Sequence, residues 1–111
     1  MKITLLVSIF LFAIFPGPSF SKSFGPKHDK VAKLFQGNEE PKAKDAVWTQ
    51  EDIFKIGVID DGTNRDGYAE YACAVLYKEG FKGKRVWVQI IDIVKLNKIG
   101  EWVRLGEAKC R

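Results

Sequence analysis

The stretch IFKIGVIDDGTNRDGYAEYAC, residues 53–73, joins a strand pattern directly to a helix pattern. Ile53 to Asp60 is rich in β-branched side chains and almost continuously apolar, which is typical of a strand buried on both faces. From Asn64 to Glu79 the apolar residues recur at helical spacing, and Gly80 supplies the stop. The buried side of this helix is predicted to carry Tyr68, Ala72, Val75 and Leu76, with Ala69 and Cys73 beside them.

Two further strands are predicted after the helix. Residues 86–96, VWVQIIDIVKL, are the strongest strand pattern in the chain, and residues 101–110, EWVRLGEAKC, are interpreted as their hairpin partner across a turn at 97–100. A rival interpretation ends the first of these strands at Asp92 and makes residues 93–99 a short helical turn. The predicted fold class is a small two-layer α+β domain of order β-α-β-β, with one helix packed on a three-stranded sheet, after a signal peptide.

The hairpin interpretation predicts how its two strands pair. Trp87 lies opposite Cys110 and Ile91 opposite Gly106, on the face that the helix covers. Gly106 and Ala108 are small, which suits a close approach of the helix. The opposite face then requires a cover, which is the segment VAKLF, a second copy of the chain or another protein. The apolar residues predicted on that face are Val88, Ile90, Val94, Leu96, Val103 and Leu105.

The two cysteines, Cys73 and Cys110, are predicted to form one disulfide bond. An even number of cysteines in an exported chain indicates pairing. The chain-entropy model assigns such a loop about 3–4 kcal/mol of stabilisation. For so small a domain, that is a large share of the free energy of unfolding.

The beginning of the chain is typical of a secretory signal peptide. Lys2 is followed by an apolar run from Ile3 to Phe15, and the sequence Pro16 to Pro18 then breaks any helix. Small residues at Ser19 and Ser21 predict cleavage after residue 21. The apolar run is short for a membrane span.

The chain is therefore predicted to have three parts. Residues 1–21 are the signal peptide, residues 22–46 are a flexible segment with a candidate short helix at Asp29–Phe35, and residues 47–111 are the α+β domain. Removal of the signal peptide, which contains one lysine and no acid, lowers the formal charge from +4 to +3. The protein is predicted to be exported, either periplasmic or secreted, and to meet the membrane only during export.

The residues between the first strand and the helix are the first candidate site. Thr63 and Asp66 have the spacing of a capping box, which predicts Thr63 as the N-cap residue. An EF-hand alignment on Gly67 leaves Gly62 and Cys73 where ligands are needed, and a phosphate loop would need a Lys that is absent. The sequence therefore assigns no metal here. The hypothesis that stays open is a ligand site at the strand end, with Asp60, Asp61, Asn64 and Arg65 as candidate binding residues.

Composition excludes several catalytic chemistries. Every serine precedes Phe24 and the one histidine is His28, so the predicted domain lacks a Ser-His-Asp triad and a Cys-His dyad. A zinc site would need more Cys and His than the domain contains. Catalysis by carboxylates is not excluded by composition, because two acidic residues suffice for glycoside hydrolysis. An acid-based hydrolase at Asp60–Asp66 is therefore the alternative function. The main interpretation is non-enzymatic and assigns no catalytic residue and no cofactor.

The second candidate site is the basic turn KEGFKGKR, residues 78–85. Lys82, Lys84 and Arg85 surround Phe81 and could bind an anionic surface. Export argues against a nucleic-acid partner. Small exported domains with one disulfide are often interaction proteins. The predicted function is a small exported non-enzymatic interaction protein, whose partner is another protein, a second copy bound at the apolar sheet face, or an anionic surface.

Overall fold

The computed structural model describes residues 23–111, so the predicted signal peptide lies outside the described residues. In chain order, the elements are α1 (Pro26–Leu34), β1 (Asp45–Gln50), β2 (Ile53–Val58), α2 (Asp66–Leu76), a π-helical turn (Tyr77–Phe81), β3 (Val86–Asp92), α3 (Ile93–Ile99) and β4 (Arg104–Cys110).

The strands form one mixed sheet in the order β1-β2-β3-β4. β1 and β2 are antiparallel, β2 and β3 are parallel across the α2 crossover, and β3 and β4 are antiparallel. The predicted α+β class is confirmed, with a fourth strand that the sequence analysis did not include. That strand, DAVWTQ, buries Ala46 and Trp48 on one face and leaves Val47 between them half-buried. Its turn to β2 consists of Glu51 and Asp52 alone.

One face of the sheet carries the core, under α1 and α2. β2 and β3 each contribute three buried apolar side chains to this face, and β4 contributes small residues. Helix α2 buries Ala69, Ala72, Cys73 and Leu76 against β3 and β4, close to the predicted helix face. The core side chains from the two central strands are Phe54, Ile56, Val58, Val86, Val88 and Ile90.

The predicted register of β3 against β4 is wrong by one residue. Val86 pairs with Cys110 and Ile90 with Gly106, so it is the even-numbered residues of β3 that lie under α2. Trp87 therefore points to the opposite face. A shift of one residue exchanges the two faces of a strand because successive side chains alternate.

The length of the predicted strand is also wrong, and the rival interpretation is correct. β3 ends at Asp92, whose side chain accepts hydrogen bonds from the amides of Val94 (3.0 Å) and Lys95 (3.1 Å) and so caps α3. The capping carboxylate offers these amides an alternative to the strand ladder. Gly100, with φ +71°, ends the helix in the left-handed conformation.

The predicted apolar outer face does not form. Val88 and Ile90 are fully buried in the core, while Val94 and Leu96 belong to α3. Helix α3 partly covers the outer face. The side chain of Ile93 packs directly on Gly57, so closely that a Cβ on Gly57 would be 2.7 Å from Cδ1 of Ile93. The remainder of that face is largely polar and carries Lys55, Trp87, Gln89, Arg104, Glu107 and Lys109.

Residues 23–46 contribute to the domain core through α1. The helix begins at Pro26 rather than the predicted Asp29, and Val31 and Phe35 are fully buried. The indole of Trp48 donates to the backbone carbonyl of His28 at 2.9 Å, which attaches α1 to β1. The predicted domain boundary at residue 47 falls inside β1.

Candidate functional site

The loop from Asp60 to Asp66 folds on hydrogen bonds between its own residues. Asp60 accepts from the amide of Gly62 (2.9 Å), and Asp61 accepts from the amide (3.0 Å) and hydroxyl (2.6 Å) of Thr63. The bonds from Thr63 hold the pKa of Asp61 below its ordinary value. Asn64 accepts from the amide of Asp66 at 2.8 Å. These are turns in which a side chain bonds the backbone two residues on.

The predicted N-cap does not form, because α2 begins two residues later. Arg65 is the N-cap residue, without a capping side-chain bond. The carboxylate of Asp66 instead accepts from the amide of Glu107 at 2.9 Å, across to β4. Tertiary contact with β4 thus replaces the local capping box that the spacing of Thr63 predicts.

Arg65 is held against the protein rather than directed outward. Its Nη2 donates to the carbonyl of Ile59 at 2.8 Å and lies 3.4 Å from Asp61 Oδ2. The structure thus brings Asp60, Asp61, Asn64 and Arg65 together in one loop, with each side chain bonded within it. Within residues 23–111, no group of three or more His, Cys, Asp or Glu side chains is placed to hold a metal ion.

The basic turn lies at the opposite end of the parallel strands, where β2 and β3 begin. Gly80, inside the π-helical turn, has a positive φ of +100°, and Phe81, the last residue of the turn, is buried in the core. Gly83, at φ +81°, then allows a tight turn closed by the amide of Lys84 bonding the carbonyl of Phe81 at 2.9 Å. Buried Phe81 therefore fixes the position of the cations that follow.

A cleft of about 530 Å³ opens beside this turn, at the start of β3 and the end of β4. Its cationic residues are Arg85, Lys109 and Arg111. The ammonium of Lys109 lies 4.9 Å from the ring centroid of Trp87, which also lines the cleft. This larger cleft is thus predominantly basic, although Asp52 contributes a carboxylate to its wall.

A second cleft of about 390 Å³ adjoins the first. Its cations are Lys27, Lys84 and Arg85, and its acids are Glu51 and Asp52. Arg85 and Asp52 line both clefts, so they mark the junction between them. Lys82 is exposed in the turn and lines neither cleft.

We call the five cations of the two clefts the basic cluster. The ion pairs of residues 23–111 are Lys30–Glu79, Arg65–Asp61 and Arg104–Glu107, so no member of the basic cluster has a carboxylate partner there. Unpaired cations in a concave surface concentrate positive potential. The members of the basic cluster are Lys27, Lys84, Arg85, Lys109 and Arg111.

The disulfide holds this end of the molecule together. Cys73 on α2 is bonded to Cys110 on β4, with a Cα–Cα distance of 5.5 Å, as predicted. The hydroxyl of Tyr77 donates to the carbonyl of Arg111 and accepts from its amide. The backbone around Lys109 and Arg111 is therefore anchored to α2.

Of the five cations, Lys84 and Arg85 were predicted from the sequence and the other three were not. Lys109 and Arg111 meet the turn because β4 runs antiparallel to β3, and this pairing could have been derived from the hairpin alone. Lys27 lies on α1, which packs beside the turn, and its ammonium donates a hydrogen bond to the carbonyl of Gly80 at 3.3 Å. No sequence pattern places α1 there.

A third cleft, of about 460 Å³, lies between α2 and the segment before β1. The hydroxyl of Tyr71 donates to Glu40 at 2.7 Å across it. The hydroxyl of Tyr68 and the Nε of Arg65 are buried without a hydrogen-bond partner among the described residues. Burial, with a smaller contribution from Glu40, raises the pKa of Tyr68 to about 12.

The chain matches no protein-family model, no curated protein and no solved structure. Among the described residues, no helix is both long and apolar enough to cross a membrane. The class is defined by the fold and by its site: a disulfide-bonded α+β domain with a basic cluster at one end of its sheet.

Proposed function

We propose that this protein is an exported, non-enzymatic binding protein that recognises a polyanion through the basic cluster. The observation that carries the proposal is the position of Arg85, which lines both clefts and has no carboxylate partner among the described residues. An anion bound there would supply the missing counter-charge. Arginine suits this role because its planar guanidinium can donate two parallel hydrogen bonds to a phosphate, and lysine because its ammonium is a compact positive charge.

The scaffold around the cluster supports this proposal. The backbone positions of Lys84 and Arg85 are set by buried Phe81, and those of Lys109 and Arg111 by the Cys73–Cys110 disulfide and by Tyr77. Binding groups that are positioned in advance lose little conformational entropy when the ligand binds. The disulfide is also compatible with an oxidising compartment, where the predicted signal peptide would direct the chain.

The other sequence-based hypotheses have less support. A protein partner at the apolar sheet face depended on residues such as Val88 and Ile90, which lie in the core. A hydrolase at the Asp60–Asp66 loop depended on free carboxylates. Those of Asp60 and Asp61 accept hydrogen bonds from amides within the loop, and that of Asp66 accepts one from the amide of Glu107 on β4. No specific observation favours either hypothesis over the basic cluster.

The proposal is tested by measuring binding of the purified exported protein to heparin and to long-chain polyphosphate at increasing NaCl concentration. We expect the logarithm of the association constant to fall linearly with the logarithm of the salt concentration, with a slope of about −3 if four to five charges are neutralised. Arg85→Glu should reduce the affinity at least tenfold. Lys95→Glu makes the same charge change on α3, at the other end of the strands, and should retain nearly wild-type affinity.

Two results would contradict the proposal. One is the absence of binding to both polymers at low salt by a folded protein. The other is equal loss of affinity in Arg85→Glu and Lys95→Glu, which would mean that net charge, and not the clefts, governs the interaction.

A further inference from the structure

We infer that the ligand is a linear polymer in which phosphate groups alternate with hydroxyl-bearing units, and that it occupies both clefts at once. This inference rests on the proposed function, since it specifies the ligand of the same site. Its basis is the presence of both a cation, Arg85, and a carboxylate, Asp52, in the linings of both clefts.

The size of the site indicates an extended ligand. The two clefts measure about 530 and 390 Å³ and share Gln50, Asp52, Arg85 and Val86. Each is in the range that accommodates a ligand of many atoms, so a single phosphate ion would fill a small part of either. A linear chain that crosses the junction reaches the cations on both sides, namely Lys27 and Lys84 in one cleft and Lys109 and Arg111 in the other.

The carboxylate at the junction specifies what lies between the phosphates. Asp52 is exposed, and its side chain has no hydrogen-bond or ion-pair partner within residues 23–111. A continuous row of phosphates would place negative charge against it. A hydroxyl group between phosphates would instead donate a hydrogen bond to Asp52, while the neighbouring phosphate accepts from Arg85.

The aromatic side chains of the clefts argue against a single-stranded nucleic acid. Such ligands stack successive bases on free aromatic faces. Trp87 in the larger cleft has two cations over its ring, Lys109 at 4.9 Å and Arg104 at 5.2 Å, and Phe81 in the smaller cleft is 2% exposed. Phosphate recognition without base stacking fits these surroundings better.

The distribution of apolar residues argues against an anionic bilayer. Binding to a membrane surface combines basic charge with apolar side chains that enter the interface. The exposed apolar residues Ile59, Val94 and Ile99 lie beyond the ends of β2 and β3, whereas the basic cluster lies at their beginnings. Near the cluster, Tyr77 is 39% exposed, and its hydroxyl is hydrogen-bonded to the backbone of Arg111. A flat surface would also fail to enter two concave clefts.

The experiment compares dissociation constants, by isothermal titration calorimetry, for defined probes with the purified exported protein. The probes are glycerol-phosphate oligomers of one and of about ten repeats, polyphosphate of matched charge, single-stranded oligouridylate, and vesicles containing phosphatidylglycerol. We expect the long glycerol-phosphate oligomer to bind at least tenfold more tightly than each of the others.

Two variants connect this preference to the junction. Arg85→Glu should weaken binding of the long oligomer at least tenfold. Asp52→Asn should remove most of the preference for glycerol phosphate over polyphosphate, because the repulsion against continuous phosphates is relieved. Lys95→Glu serves as the control outside both clefts.

The possible failures are distinguishable. If polyphosphate, oligouridylate or vesicles bind as tightly as glycerol phosphate while Arg85→Glu still abolishes binding, this inference is overturned and the proposed function stands. Equal affinity for one and ten repeats also overturns it, because the ligand then occupies a single cleft. If no anionic polymer binds, heparin included, both proposals fall.

Discussion

Gly106 lies so close to Arg65 that a Cβ atom on it would be 2.2 Å from the carbonyl carbon of Arg65 and 2.5 Å from the amide nitrogen of Asp66. The start of α2 therefore rests directly on the backbone of β4. Two hydrogen bonds flank the contact, from the amide of Arg65 to the carbonyl of Leu105 and from the amide of Glu107 to Asp66, at 3.0 and 2.9 Å. This contact sets the distance between α2 and the sheet.

Gly106→Ala should destabilise the domain by about 3 kcal/mol, at the upper end of the cost of overpacking, because the atoms it meets belong to backbone. Urea unfolding followed by tryptophan fluorescence measures the change. Gly67→Ala, in the first turn of α2, is the matched control, since its Cβ would meet nothing within 4 Å. That variant should be neutral or more stable by up to about 1 kcal/mol. Similar stabilities for the two variants would mean that α2 and β4 separate easily.

Removal of the disulfide by the double substitution Cys73→Ala and Cys110→Ala should cost about 3–4 kcal/mol. The reason is loop closure across a sequence separation of 37 in the unfolded chain, an account that depends on the chain-entropy model. Guanidinium unfolding of the variant and of the oxidised wild-type protein gives the difference. A loss below about 1 kcal/mol would contradict the assignment of the disulfide as a major stabilising element.

Asp92→Ala should destabilise the domain by about 1–2 kcal/mol, since it leaves the amides of Val94 and Lys95 without their acceptor. Asp92→Asn keeps an acceptor oxygen of the same shape and should lose less than half as much. Thermal unfolding compares the two variants. An equal loss in both would indicate that the charge of Asp92, rather than its capping bonds, stabilises α3.

Tyr68→Phe should reduce the loss of stability at alkaline pH. The pKa of Tyr68 is raised from 10.0 to about 12, so the folded state favours the neutral phenol. The resulting stabilisation is fully present below pH 10 and is lost as the pH rises through 12. Urea unfolding at several pH values between about 9 and 11.5 should give a shallower decline in Tyr68→Phe than in the wild-type protein.

At pH 7 the same variant should be within about 0.5 kcal/mol of the wild-type protein, because the Tyr68 hydroxyl has no hydrogen-bond partner among the described residues. Tyr71→Phe provides the contrast: it removes a bond to Glu40 and should cost about 0.5–1.5 kcal/mol. A larger loss in Tyr68→Phe than in Tyr71→Phe would show that the hydroxyl of Tyr68 does have a partner in solution.

Local patterns in the sequence were sufficient to predict β2, α2, the disulfide and the α+β class. Each depends on residues close together along the chain, or on an even number of cysteines, which favoured a disulfide over a reactive or metal-bound thiol pair. The close approach of α2 to Gly106 was also expected, from the small size of that residue. The capping of α2 was predicted wrongly, because Asp66 bonds β4 instead of its own helix.

The face of β3 and the composition of the basic cluster were decided by the tertiary structure. The strand VWVQIID has apolar residues at both odd and even positions, so a period of two selects neither face, and pairing with β4 settles the choice. Lys27, Arg85 and Lys109 are remote in sequence and meet because α1 packs beside the turn that precedes β3 and β4 returns antiparallel to it. The sequence by itself determined the positions of β2 and α2, through the local spacing of apolar residues, but it did not predict β1 and assigned residues 93–96 of α3 to a strand. Only the packing of those segments determined which charges share a surface, because that depends on contacts between residues far apart in the chain.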